Sequence, residues 1–458
     1  MKKTTILFYL LLLSIGVFAQ TEVSGNQSGT WTAENSPYLV TGHIMVPSGE
    51  VLNIEAGVEV NFQGYYKFTV EGNLQALGNI NDSIFFTTDN PIFGWGGIRL
   101  DGANGINNLS FCRIEFGKTA GEYPDIHGGG MAILSSSFVI SDCVFADNDA
   151  TGEDNGMGGA IYGINTGSPS QIINTNFIRN HAYGEGGAIK FTSDIGTEII
   201  DCKFLENDCL YGGGAISLYS VFGTKMIYCL FVDNYTMYSN GGAIHSLGMG
   251  NEFSFENCTI TNNTAVTGDG GGVYLAYANA NFINSIIYDN PGMYSDGIFL
   301  DIGSSADINY CNTMMPEGGN GSNNINENPQ FVDEFNGNYQ LDAASPCIDA
   351  GTDIGYEYYG DAPDMGRYEY GLPTATYQVS SNEIAVYPNP TKHIIHIMGG
   401  EALLNITLYD IKGSLIKEMN SGFQNQNNTI DVSDLKSGIY FVNIQSADKT
   451  STFKVIKH

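Results

Sequence analysis

The chain has 458 residues, 58 of them glycine, with 18 Lys and Arg against 49 Asp and Glu, a formal net charge of −31. That length leaves room for more than one domain and a large core. The acidic field excludes nucleic acid and anionic lipid as natural partners, because it repels them.

The first element is an address. Lys2 and Lys3 precede an apolar run from Ile6 to Val17, and Val17-Phe18-Ala19 leads to a cut after Ala19. Residues 1–19 therefore read as a secretory signal peptide. No later uninterrupted run of about 18 apolar residues offers a transmembrane segment. The expected location is secreted or on the cell surface.

Residues 20–370 read as a repeat domain. The stretch 40–93 alternates apolar and polar residues between glycine turns, as in GHIMVPSGEVLNIEAGVEVNF. From about 95 to 310 two signatures recur. GGAI ends at Ile161, Ile189, Ile216 and Ile244, in steps of 28, 27 and 28 residues. F-x-x-N ends at Asn148, Asn180, Asn207 and Asn234, with weaker forms ending at Asn263 and Asn290. A period near 27 suits a leucine-rich solenoid or a parallel β-helix. Leucine spacing is missing, and short β-rich runs such as TEIIDCKFL alternate with Gly, Asn, Asp and Ser turns. The β-helix is the consistent reading.

Stacked coils give the motifs physical jobs. Glycine permits a corner with positive φ. Period-2 alternation then turns the four GGAI isoleucines inward, and Tyr162, Lys190, Ser217 and His245 outward. These outward residues read as a solvated face. Alternatively, Tyr162, Lys190 and His245 line a binding groove. The asparagines are expected to tolerate the left-handed region and to stack as an amide ladder.

Cys112, Cys143, Cys202, Cys229, Cys258 and Cys311 share one repeat position, which Thr175 and Ser285 fill in other coils. Small residues in one column read as an internal ladder of free thiols. A Cys202–Cys229 disulfide between adjacent coils is the alternative. Cys209 and Cys347 lie outside this column and have no assigned partner. The residues before the ladder asparagines form another column, in which Glu206 and Asp233 stack as like charges. Such a pair raises a pKa or recruits a cation. It is therefore a candidate Ca²⁺ site, with exposed, hydrated carboxylates as the alternative.

After 310 the period is lost. The two flanks, 40–93 and the segment after 310, are the candidate caps that a solenoid needs. GLPTATYQVSSN at 371–382 reads as a linker. Residues 21–380 carry 9 basic and 42 acidic residues, hence −33, whereas 381–458 hold seven Lys and seven acidic residues. The tail shows short strand patterns, which suggest a small Ig-like sandwich.

The tail motifs YPNPT at 387–391, ITLYDIKGSLI at 406–416, LKSGIYFVNI at 435–444 and KVIK at 454–457 closely resemble the C-terminal sorting domain of the type IX secretion system of Bacteroidetes. The resemblance covers about 75 residues, assigned to 383–458. It implies export by the type IX machinery, removal of the domain, and either anchoring to surface lipopolysaccharide or release. GGAI with F-x-x-N resembles the repeats of chlamydial polymorphic outer membrane proteins, which are β-helix adhesins. The fold class expected is thus all-β: a right-handed parallel β-helix of pectin lyase-like type, followed by a small Ig-like β-sandwich.

Two functions compete. One is non-catalytic adhesion or glycan binding by a displayed β-helix. The other is a carbohydrate-active enzyme, a polysaccharide lyase or glycoside hydrolase. A lyase needs a base and usually Ca²⁺, and a hydrolase needs converging carboxylates. No lyase-like pairing of basic residues with an Asp pair is visible in the sequence. The catalytic set expected is therefore none.

Overall fold

A computed structural model describes residues 20–371, apart from 153–154, 168–169 and 294, and residues 385–387, 394–398, 403–410, 415–420, 428–436, 438–446 and 450–457. The signal peptide and residues 372–382 of the linker lie outside the described residues. The chain divides into two compact units, 1–373 and 374–458.

The first unit is a parallel β-solenoid. Strands one coil apart pair in parallel register: Ile161–Ile164 lies beside Ile189–Thr192, and that strand lies beside Ile216–Tyr219. A second face stacks Gln171–Ile173, Glu198–Ile200 and Phe222–Ile227. A third stacks Asn176–Ile178, Lys203–Leu205 and Leu230–Val232. A narrow fourth sheet joins five two-residue strands, among them His181–Ala182, Asp208–Cys209 and Tyr235–Thr236.

Each letter of the motifs has a place in this frame. In F-x-x-N the phenylalanines of successive coils stack inside the solenoid. Phe177, Phe204 and Phe231 are fully buried, with ring centroids 4.8 and 4.7 Å apart and planes within 2° and 4° of parallel. Stacked rings at this spacing add to the burial of their apolar area. The asparagines form the expected ladder. Asn180 Nδ2 donates to Asn207 Oδ1 at 2.9 Å, and Asn207 Nδ2 donates to Asn234 Oδ1 at 3.0 Å. The left-handed conformation, however, belongs to the residue before each asparagine: φ is 51° at Arg179, 55° at Glu206 and 56° at Asp233. The asparagine side chain then meets the backbone exposed by that corner.

In GGAI the first glycine has φ of 66°, 70°, 69° and 71° at Gly158, Gly186, Gly213 and Gly241. The second is fixed by close approach, since a Cβ on Gly187 would lie 2.1 Å from the Gly214 carbonyl oxygen of the next coil. Ala160, Ala188, Ala215 and Ala243 are fully buried behind the isoleucines.

All eight cysteines are free and buried. Cys112 N donates to Cys143 Sγ, Cys143 N to Thr175 Oγ1 and Cys258 N to Ser285 Oγ, at 3.4, 3.3 and 3.1 Å. Burial pushes the thiols of Cys202 and Cys258 well up, and that of Cys311 to about 12. Cys209 belongs to another column, with Ala150 and Ala182, and its Sγ lies 3.7 Å from Thr236 Oγ1. Cys347 accepts Asn312 Nδ2 at 3.1 Å.

The alternating stretch at 40–93 belongs to the solenoid itself rather than to a separate cap. Residues 40–93 are full coils, and pairing already begins at Thr21–Asn26. At the other end Thr313 N bonds Ile325 O at 2.8 Å, closing the last coil. The chain then returns as a lateral strap. Thr352 N donates to Asn284 Oδ1 at 2.8 Å, and Tyr356 Oη donates to Glu256 Oε2 at 2.5 Å. Arg367 Nη1 donates to Cys202 O at 3.0 Å and Nη2 pairs with Asp201 Oδ1 at 2.6 Å. Such contacts link residues 68 to some 165 positions apart, so no local pattern announces them.

The second unit contains a three-stranded and a four-stranded antiparallel sheet. Ile395, Ile406, Leu408, Ile430, Val432, Val442, Ile444 and Val455 form its apolar cluster. No α-helix occurs among the described residues, and none there is long and apolar enough to cross a membrane.

Candidate functional site

The outward positions of the GGAI strands form one in-register column: Arg99, Ala132, Tyr162, Lys190, Ser217, His245 and Tyr274. The structure therefore places Tyr162, Lys190 and His245 on one line. It does not leave them solvated. They are 5, 4 and 5 % exposed, because the turns that precede the GGAI strands fold over them.

The covering groups are specific. His127 stacks on Tyr162 with centroids 4.4 Å apart, and its Nδ1 accepts Met157 N at 3.1 Å. Glu185 pairs with Lys190 and accepts the Ser217 hydroxyl at 2.8 Å, while Lys190 Nζ lies 3.0 Å from Ser217 Oγ. Asp125 takes Lys67 at 2.7 Å and faces Arg99 Nε at 3.6 Å. His245 stacks on Tyr274 at 5.3 Å. Burial, reinforced by Arg99 and Lys190, pushes His127 down to about 4, and burial outweighs the opposing charge of Glu185 to bring His245 to about 4 as well, so both imidazoles are neutral near pH 7. Burial, aided by Tyr123, pushes the Tyr162 hydroxyl up to about 12. This column is a filled layer of stacked rings and paired charges. Glu185 and Asp125, its two covering carboxylates, escaped sequence reasoning because they stand in irregular turns off the period.

Glu206 and Asp233 sit on adjacent coils, both exposed. Burial, then the charge of Glu206, holds the Asp233 carboxyl above its usual range. Among the described residues no three His, Cys, Asp or Glu side chains are arranged to hold a metal ion. Two exposed carboxylates fall short of the about six to eight oxygens that Ca²⁺ takes. The pair therefore does not fit a Ca²⁺ site on its own.

Two further rows of side chains stand out among the described residues. On the second face an outward row runs in register through Gln171, Glu198, Lys225, Ser254, Asn281 and Asp307. A shallow groove of about 590 Å³ lies over its later strands, between Phe222, Glu252 and Asp307. At the edge of the narrow fourth sheet Tyr183, Tyr211 and Tyr238 follow one another, with ring centroids 5.9 and 6.1 Å apart. Their steps of 28 and 27 residues repeat the GGAI period, a signal that sequence inspection could have used.

Comparison with known proteins assigns the two units differently. Residues 385–458 match the secretion system C-terminal sorting domain. Residues 257–276 match the Chlamydia polymorphic membrane protein repeat. No curated protein matches the chain. Among solved structures, an alginate lyase from Paenibacillus sp. str. FPU-7 is 12 % identical, covering 56 % of this chain and 93 % of its own, with a TM-score of 0.17. That score is too low to bear on activity. The sorting domain directs export through the type IX secretion machinery to the cell surface. The chain is a parallel β-helix passenger with a type IX secretion C-terminal sorting domain.

Proposed function

We propose that the passenger, residues 20–370, is a surface-displayed, non-catalytic glycan-binding protein that serves adhesion. The observation that supports this most is the state of the outward column. Each cation there already has a carboxylate beside it, Lys190 with Glu185 and Arg99 with Asp125. A lyase base must reach its substrate's proton within hydrogen-bond distance. Lys190 at 4 % exposure cannot do so while Glu185 holds it. The enzyme reading would require that pair to open. What the surface offers instead is a long flat row of amide, hydroxyl and charged groups, suited to many weak hydrogen bonds with sugar hydroxyls.

The sorting domain is removed after export in this reading, and the passenger is held by surface lipopolysaccharide or released. The test is a glycan array probed with the purified protein. Retention of at least one glycan family is expected. A blank array would overturn the proposal.

A further inference from the structure

A regular column of tyrosines, half-buried at Tyr183 and exposed at Tyr211 and Tyr238, calls for an explanation, because burying such rings is the usual gain of folding. The strands His181–Ala182, Asp208–Cys209 and Tyr235–Thr236 pair in parallel register. Their inner residues Ala182, Cys209 and Thr236 are fully buried, which pins the backbone of each turn. The chain leaves these strands through Tyr183, Tyr211 and Tyr238. Tyr211 and Tyr238 are 44 and 56 % exposed, and the rings tilt by 54° and 42° from one to the next. Polar groups run alongside. His181 Nδ1 lies 2.5 Å from Asp208 Oδ2, and Tyr235 and Thr264 continue that row.

We propose that Tyr183, Tyr211 and Tyr238 form a stacking platform for an uncharged, unbranched polysaccharide, whose chain runs along the direction in which the coils stack. The inference rests on the glycan-binding reading above and adds to the polar row of the second face a separate contact surface beside the narrow fourth sheet. Three features select this occupant. The ring-to-ring distance is comparable to the length of one pyranose unit, so successive sugars meet successive rings. Each ring offers an apolar face to the C–H face of a sugar, while its hydroxyl stays wet. The His181–Asp208 row beside the rings suits hydroxyls that point sideways. The charge of −31 repels polyuronates and anionic lipid surfaces. A folded protein partner would want a broad apolar patch, and this platform is one ring wide with a polar row beside it.

The experiment uses the full-length protein in native affinity gels containing hydroxyethyl cellulose, mixed-linkage β-glucan, linear glucomannan or, as the charged control, polygalacturonate. Soluble oligosaccharides of the retarding polymer are then titrated calorimetrically. At least one neutral polymer should retard the protein, and affinity should climb with chain length until the ligand spans all three rings. Tyr211→Ala and Tyr238→Ala should each weaken binding by about 10-fold, whereas Tyr211→Phe keeps most of it. These side chains are exposed, so circular dichroism of each variant should match the parent. Neutral-polymer binding that is unchanged in the Tyr211→Ala, Tyr238→Ala double variant would overturn the platform and leave the glycan-binding reading standing. Retardation by polygalacturonate alone would overturn the assignment of an uncharged ligand. No retardation in any gel would overturn the platform and the glycan-binding reading together.

Discussion

Asn207 stands in register between Asn180 and Asn234. Its Oδ1 accepts both the side-chain amide of Asn180, at 2.9 Å, and the Asn180 backbone N–H, at 3.0 Å. Its Nδ2 donates to Phe177 O at 2.9 Å and to Asn234 Oδ1 at 3.0 Å. One fully buried side chain thus satisfies the corner of one coil and locks it to both neighbours.

Asn207→Ala leaves the Asn180 backbone N–H, one Asn180 side-chain N–H and the Phe177 carbonyl without these partners in the interior, although Asn180 Nδ2 keeps its bond to Phe145 O. Buried polar groups left without partners cost more than the net value of the bonds lost. The expected loss is about 3 kcal/mol, read as a shift of the urea midpoint. Asn207→Asp should be worse, because a carboxylate cannot donate to Asn234 Oδ1 or Phe177 O.

The thiol column makes a second prediction. All eight cysteines should react with a thiol reagent in denaturant without reductant, because every Sγ is packed as a small side chain. Cys229→Ser should cost about 1 kcal/mol, since Thr175 and Ser285 already fill this position in other coils. Cys229→Leu should cost more, on the order of 1–3 kcal/mol, through overpacking. Recovery of three disulfides among the column would contradict the account.

Much of this was legible in the sequence because it is periodic. The Phe and Asn columns, the inward isoleucines and the thiol column each follow from one repeat read many times. What failed was the surface of the GGAI face. Tyr162, Lys190 and His245 do point out of the coil, but His127, Glu185 and other turn residues cover them, and turns of varying length carry no period. The left-handed corner was placed one residue late, on Asn rather than on Glu206 or Asp233. Asn is the commoner left-handed residue, but here its side chain is needed for the ladder. The strap was invisible, since Arg367 finds its partners far away in sequence.

That strap carries a pH dependence. Burial, then the charge of Asp364, pushes the Glu369 carboxyl from its ordinary 4.5 to about 7. A group whose pKa is raised by folding stabilises the fold fully below its unfolded value and loses that contribution as pH rises through its folded value. Glu369, whose carboxyl accepts the Asp364 N–H at 3.2 Å within the strap, should therefore stabilise the strap below about pH 4.5 and cease to do so as pH passes about 7. Melting temperature should fall across that window, and Glu369→Gln should flatten the fall. An equal fall in the variant would show that other groups carry it.

The sorting domain should be needed for display and dispensable for the passenger's fold. The two units form separate apolar clusters, and 385–458 matches the sorting family by itself. Deleting 383–458 should leave a cooperative, β-rich fold that no longer reaches the cell surface. Normal display of the shortened chain, scored by labelling intact cells, would refute the assignment.

The most direct measurement combines binding and turnover in one sample. The full-length protein is incubated with Ca²⁺ and a panel of polyuronates and neutral glycans. Unsaturated products are followed by absorbance, new reducing ends by chemical assay, and retention by native affinity gels. Retention by a neutral glycan with no product of either kind is the expected result. Unsaturated products or new reducing ends that disappear in Lys190→Ala would show that the Lys190–Glu185 pair opens for catalysis, and would contradict the non-catalytic reading.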